Sequence, residues 1–140
     1  MTFDEVRAAL LDPTSYIPGR WMEFDDLGVS LYFGEGASGL CAVALHAERG
    51  PQVRIGDVDL VGGRPSKVAE QVVDHAEHNG MDIRFTLEGG TAIEALGLVM
   101  RSQRSVDVLR TRPVLVAREW APGSADEVYG KIPKMEWDRT

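Results

Sequence analysis

Two stretches of this chain repeat one layout, and that layout restricts the fold more than any other feature. Gly28-Val-Ser-Leu-Tyr-Phe33 leads through a Gly-rich break into the apolar run Leu40-Cys-Ala-Val-Ala-Leu45. Gly80-Met-Asp-Ile-Arg-Phe85 leads through a second Gly-rich break into Ile93-Glu-Ala-Leu-Gly-Leu98. Gly28 pairs with Gly80 and Phe33 with Phe85. After a one-residue slip, Leu40, Ala42, Val43 and Leu45 pair with Ile93, Ala95, Leu96 and Leu98, and Val53 and Val106 keep that register. Val29, Leu31 and Phe33 alternate with Ser30 and Tyr32, the period of a strand with one buried face. Leu40 to His46 is apolar on both faces, as a covered central strand would be. The layout predicts two hairpin-type units, an internal repeat of 28–61 and 80–119.

Helical signals lie in front of each unit. Thr2-Phe3-Asp4-Glu5 has the form of a capping box, followed by Phe3, Val6, Leu10 and Leu11 on one face and closed by Asp12-Pro13. Gly62-Gly-Arg-Pro-Ser66 opens a second helix with Val68, Val72, Val73 and Ala76 at helical spacing and Asn79-Gly80 as its stop. Tyr16 to Phe24 reads as an irregular connection turning at Pro18-Gly19, and Gly34 to Gly39 as a hairpin loop. Val53 to Val61 reads as one strand bent near Gly56-Asp57. The expected fold is a single α+β domain over 1–121: a mainly antiparallel sheet of about six strands, with an N-terminal helix and one central helix packed on it. Residues 122–140 read as a less regular tail.

A chain of 140 residues is long enough to bury a core without a disulfide or metal. Its one cysteine, Cys41, lies in an apolar run and reads as a buried, inert thiol. The first twenty residues lack a signal-peptide stretch, and no segment has the length of a membrane span, so a cytoplasmic setting is expected. A net charge of −7 argues against nucleic acid and suits a basic protein partner.

Chemistry-bearing residues are sparse. No nucleophile, metal cluster or acid-base pair stands out, and no cofactor motif is present. His75 and His78 sit one turn apart on the central helix, outside any HExxH pattern, and read as part of a solvated helix face. His46 ends a strand beside Glu48. Gly62, Gly63 and Arg64 lead into a helix N-terminus, a place that can bind an anion, although the P-loop lysine and spacing are missing. His46, Gly62, Gly63 and Arg64 therefore form a candidate ligand site between sheet and helix. Glu23, Asp25 and Asp26 cluster before the first strand with Trp21 nearby, a candidate patch for docking a basic partner. Arg101, Arg104, Arg110, Arg112 and Arg118 crowd the last strands and read as a solvated strand face, or as the complement of the acidic cluster across a homodimer. Trp21 and Trp120 read as packing at the edge of the core, Trp137 less so.

At Asp26-Leu-Gly-Val-Ser-Leu-Tyr-Phe33, Leu40-Cys-Ala-Val-Ala-Leu45 and Val58-Asp-Leu-Val-Gly62 the chain resembles small bacterial immunity proteins, the antidotes made beside secreted or contact-delivered toxins. The resemblance covers roughly residues 20 to 80 and rests on strand residues and glycines. It implies one α+β domain acting by surface complementarity, and it transfers no functional residue. Three functions stay open: a non-enzymatic inhibitor that binds a basic toxin, a domain that binds an anionic small molecule or acts on it, and a homodimeric structural protein.

Overall fold

A computed structural model describes residues 1–10, 12–34 and 39–139; Leu11 and most of the expected Gly34–Gly39 loop lie outside them. Thr2 caps helix α1 (Phe3–Ala9), its hydroxyl accepting from the Glu5 N–H at 3.2 Å. Strands β1 (Ser15–Ile17), β2 (Trp21–Phe24), β3 (Val29–Phe33) and β4 (Leu40–Leu45) follow. A separate hairpin, β5 (Arg54–Ile55) and β6 (Val58–Asp59), precedes helix α2 (Pro65–His78). Strands β7 (Arg84–Phe85), β8 (Thr91–Ile93), β9 (Leu98–Ser105) and β10 (Val108–Val116) come next, and a short helix α3 (Lys134–Trp137) comes last. A 3-10 turn, Glu94–Leu96, joins β8 to β9.

The main sheet has eight strands in the order β1-β2-β3-β4-β10-β9-β8-β7, with every pair antiparallel. Eight replaces the expected six for local reasons. Tyr16 to Phe24 is a hairpin rather than an irregular connection, its strands too short to show a period. Ala92 to Met100 is two strands, broken where Gly97 takes φ 62. Val53 to Val61 is not a bent strand of the main sheet. It folds back on itself at Gly56 (φ 57) as the small hairpin.

The chain runs twice through a helix and a four-stranded meander, and the two meanders meet where β4 pairs with β10. The residue pairing expected from the sequence does not match this order. Phe33 is in the third strand of its meander and buried, whereas Phe85 is in the first strand of its own and 65% exposed. Val53 is half-buried but Val106 is 85% exposed. Alternation and glycine loops are generic to hairpins, so they align without sharing a place in the sheet.

Strand alternation sends side chains to two faces. One face carries Met22, Phe24, Leu31 and Phe33 under Val6 of α1, and Ile93, Leu98 and Met100 under Val68, Val72 and Ala76 of α2. Phe3 meets Phe33 edge-on at 5.3 Å and so seats α1. Pro65 starts α2, and the backbone reverses after Asn79 at Gly80 (φ 64). The opposite face carries Tyr32, Ala42, Ala44, Ala92, Val99 and Val114. Its alanines leave room for Trp120, Ile132 and Trp137, so the segment 120–137 is a third layer closing the core, and Trp21 packs against it. Trp137 is as deeply placed as Trp120.

Val106 alone among the described non-glycine residues has positive φ (56). It is the first position of the two-residue link between Ser105 and Val108, where hairpins favour glycine and a β-branched side chain is strained. Val106→Gly should therefore raise stability by about 1 kcal/mol, relief of strain outweighing the added freedom of the unfolded chain. Urea unfolding tests this, and an unchanged or lower midpoint would show that the turn stores no strain.

Candidate functional site

The face covered by the C-terminal segment holds most of the chain's buried charge. Arg101 and Arg112 are directly opposed across β9 and β10, each 1% exposed. Like charges so placed repel unless an anion lies between them. Glu136 of α3, fully buried, is that anion. Arg112 holds it in a two-pronged grip, Nε to Oε2 at 2.9 Å and Nη2 to Oε1 at 2.8 Å. Arg101 Nη1 donates to Oε2 at 2.9 Å, and Tyr32 donates its hydroxyl to Oε1 at 2.7 Å. Arg101 also donates to the backbone oxygens of Glu136, Trp137 and Arg139, and lies 5.1 Å above the Trp137 ring. Burial alone would raise the carboxyl's pKa, but the hydrogen bonds and charges of Arg112, Tyr32 and Arg101 hold it below the usual range. Burial and the adjacent Glu136 charge push the Tyr32 hydroxyl up.

Ser30 links this cluster to a second one. It accepts from Arg112 Nη2 at 3.0 Å and donates to Glu23 Oε2 at 2.6 Å. Glu23 also accepts from Arg139 at 3.1 and 3.0 Å, and His46 Nε2 lies 2.8 Å from its Oε1. Burial is the largest influence on Glu23 and opposes its ionisation. Hydrogen bonds from His46 and Ser30 and the charge of Arg139 together outweigh it, and the pKa is lowered to about 2.

The sequence-derived candidates are redistributed accordingly. Glu23 faces inward, Asp25 is half-buried and Asp26 exposed, so Glu23, Asp25 and Asp26 do not form one acidic surface. Trp21 belongs to the core edge. Arg101 and Arg112 are interior, not a solvated face, and paired within the chain, whereas Arg104, Arg110 and Arg118 are exposed. His46, assigned to a ligand site, is instead a partner of Glu23. The Gly62 and Gly63 N–H groups are already bound, to Thr111 O and Oγ1, each at 2.9 Å. Gly62 is glycine because a Cβ there would lie 2.5 Å from Ala47 O. Arg64 is exposed at the N-cap of α2 and converges with none of these. His78 Nδ1 binds Asp74 O of its own helix, and the described residues hold no metal-binding group of three His, Cys, Asp or Glu. Burial raises the pKa of the Cys41 thiol, as expected of an inert one.

Both oxygens of the buried Glu136 carboxylate are engaged, whereas Arg139 at the rim is half-buried and its Nε has no hydrogen-bond partner among the described residues; the Glu136 cluster ties the C-terminal segment to the sheet. One open surface lies at the β7 edge. A shallow cleft of about 580 Å3 runs between Arg84, Phe85 and Leu87 on one side and Asp126 and Glu127 on the other. Phe85 is 65% and Leu87 83% exposed. The Asp126 carboxylate accepts the N–H groups of Val128 and Tyr129, both at 2.8 Å, fixing the turn that displays these two exposed side chains. Glu94 ties the two walls together, pairing with Arg84 at 3.3 Å and accepting from the Gly123 N–H at 3.1 Å. Glu127 Oε1 is shielded and has no hydrogen-bond partner among the described residues. Sequence reading missed this surface. The repeat pairs Phe85 with Phe33, whose alternation marks a buried face, and the 123–129 turn is roughly 40 residues away in sequence with no local signal linking them.

Comparison with known protein families, curated proteins and solved structures found no significant match. No helix among the described residues is long and apolar enough to cross a membrane.

Two outcomes follow from the network. Glu136→Gln leaves two buried guanidiniums without their anion and should cost about 3–5 kcal/mol in chemical unfolding; a loss under 1 kcal/mol, roughly, would mean that the arginines find another partner. Glu23 has a depressed folded-state pKa, so its contribution is full above the ordinary carboxylate range and disappears as pH falls through about 2. The stability gap between the native chain and Glu23→Gln should be widest near neutrality and shrink on acidification. A gap independent of pH would contradict the ionised, paired Glu23.

Proposed function

We propose that this chain is a non-enzymatic protein-interaction domain, an immunity-like inhibitor, and that it holds a basic partner at the β7 edge. The observation that carries this is the juxtaposition of exposed Phe85 and Leu87 with the unpartnered Glu127 carboxylate oxygen. Large apolar side chains clustered in the open mark interaction surfaces, whereas single ones are ordinary. A shielded carboxylate oxygen without a donor is costly alone and is satisfied when a Lys or Arg reaches it. Glu94, Asp126 and Glu127 outnumber Arg84 in the cleft, and Asp82 lies in the adjoining hollow with Arg84 and Glu94.

The same division of labour explains the acidic composition. A net charge of −7 accelerates encounter with a basic protein over long range. Once docked, desolvated apolar anchors set the dissociation rate. Within the Trp21 to Asp26 segment, Glu23 is bound inside the fold and is not free to meet a partner.

Tagged protein can be used to capture a partner from the producing cell, and the partner then purified. The partner should be basic, with association slowed by on the order of tenfold from low to physiological salt. The double variant Phe85→Asp, Leu87→Asp should weaken binding by about a hundredfold or more with its melting temperature unchanged, since neither side chain is in the core. Retention of the partner by that variant at native affinity would place the interface elsewhere. Self-association through this edge in native mass measurements, lost in the variant, would replace the inhibitor with a homodimer.

A further inference from the structure

The first N–H groups of a helix have no partner inside it and carry partial positive charge, so helices favour acidic or capping side chains there. Helix α2 has neither: Arg64 is its N-cap without a side-chain cap bond, and its first turn contains no acid. It carries Arg64 and Lys67 instead, the charge sign that the helix dipole disfavours at this end. Beside this turn a cleft of about 240 Å3 opens onto β8, β9 and β10. Its wall includes Ser66, Thr91, Ser102 and Thr111.

Thr91 supplies an independent observation. Ile93 packs under α2 while Ala92 joins the opposite face, so Thr91, two residues from Ile93, projects to the α2 side. It is 1% exposed, and its Oγ1 has no hydrogen-bond partner among the described residues. Thr111 is not in that position: its hydroxyl donates to Leu60 O at 2.7 Å and accepts from the Gly63 N–H. Glu88 also lines the cleft, but its carboxylate is engaged by Arg101 at 2.9 and 3.2 Å. At Gly90 a Cβ would fall 2.1 Å from Met100 O, so the chain approaches the β9 backbone closely and keeps this wall free of side chain.

We propose that this cleft binds a small oxyanion of the phosphate, sulfate or carboxylate class. The Thr91 hydroxyl donates to it from the sheet, and the Ser66 backbone N–H donates from the helix. The volume is below the roughly 300–1,000 Å3 of pockets that take drug-sized molecules, which fits a small ion better than a nucleotide. This site is separate from the β7-edge surface, and neither depends on the other.

The test is an NMR titration with inorganic phosphate at low ionic strength, with sulfate and acetate as further arms and glycerol as the neutral control. Saturable shifts centred on the Ser66 and Gly90 amides are expected with at least one anion and absent with glycerol. Thr91→Val keeps the shape and removes the donor. It should weaken binding about tenfold and leave the melting temperature unchanged or higher, since the hydroxyl has no internal partner to lose. No saturable shift, an equal response to glycerol, or shifts that Thr91→Val leaves unaltered overturns the proposal, the last meaning an adventitious ion only.

Discussion

Glu136 lies between two arginines that could not otherwise occupy the same interior. Arg101 and Arg112 face each other across β9 and β10 on the side covered by the C-terminal segment, and both are closed off from water. Two guanidiniums in that setting require an anion with several acceptor positions, and a carboxylate arriving on α3 supplies it. Its placement determines where α3 docks, and with it Trp137 and Ile132, which close the apolar cluster over Tyr32, Ala42 and Val114. A buried pair of this kind adds little over an apolar core of equal volume, but breaking it is expensive. Its effect is therefore on which arrangement of the C-terminal segment is allowed.

The second cluster extends this constraint across the sheet. Ser30 bridges Arg112 and Glu23, and Arg139 reaches Glu23 from beyond α3. Strands β2, β3, β9 and β10 are thereby joined to the C-terminal segment through polar side chains as well as apolar contact. The helices cover the other face mainly by apolar packing, Val6 on one meander and Val68, Val72 and Ala76 on the other, with Arg7 of α1 also lying over the Tyr16 ring. The two faces of one sheet are thus held by different physics.

Under the proposed reading, recognition falls to the periphery. The paired arginines and carboxylates Arg101, Arg112, Glu23 and Glu136 are buried and bound to one another or to neighbouring groups. Open surfaces include the β7 edge, with apolar anchors and acidic neighbours, and the hydroxyl-lined cleft beside α2. A surface of the first kind suits a protein partner and one of the second kind a small anion.

Local chemistry made much of the scaffold legible. Thr2 marked the start of α1, Val68, Val72 and Ala76 marked the buried stripe of α2, and the alternation around Leu31 marked β3, because caps and periods are properties of neighbouring residues. The α+β class and the antiparallel sheet followed from them. Strands of three or four residues around Pro18-Gly19 carried too few side chains for a period, and a shared strand pattern at Phe33 and Phe85 could not say which lay beneath a helix. Only the tertiary structure could decide that Glu23 turns inward, that Arg112 meets a carboxylate 24 residues further on, or that Phe85 shares a cleft with Glu127. The reason is physical. A periodic pattern reports which residues share a face, but what covers that face is set by chain segments brought together on folding, and burial and charge pairing exist only after they meet.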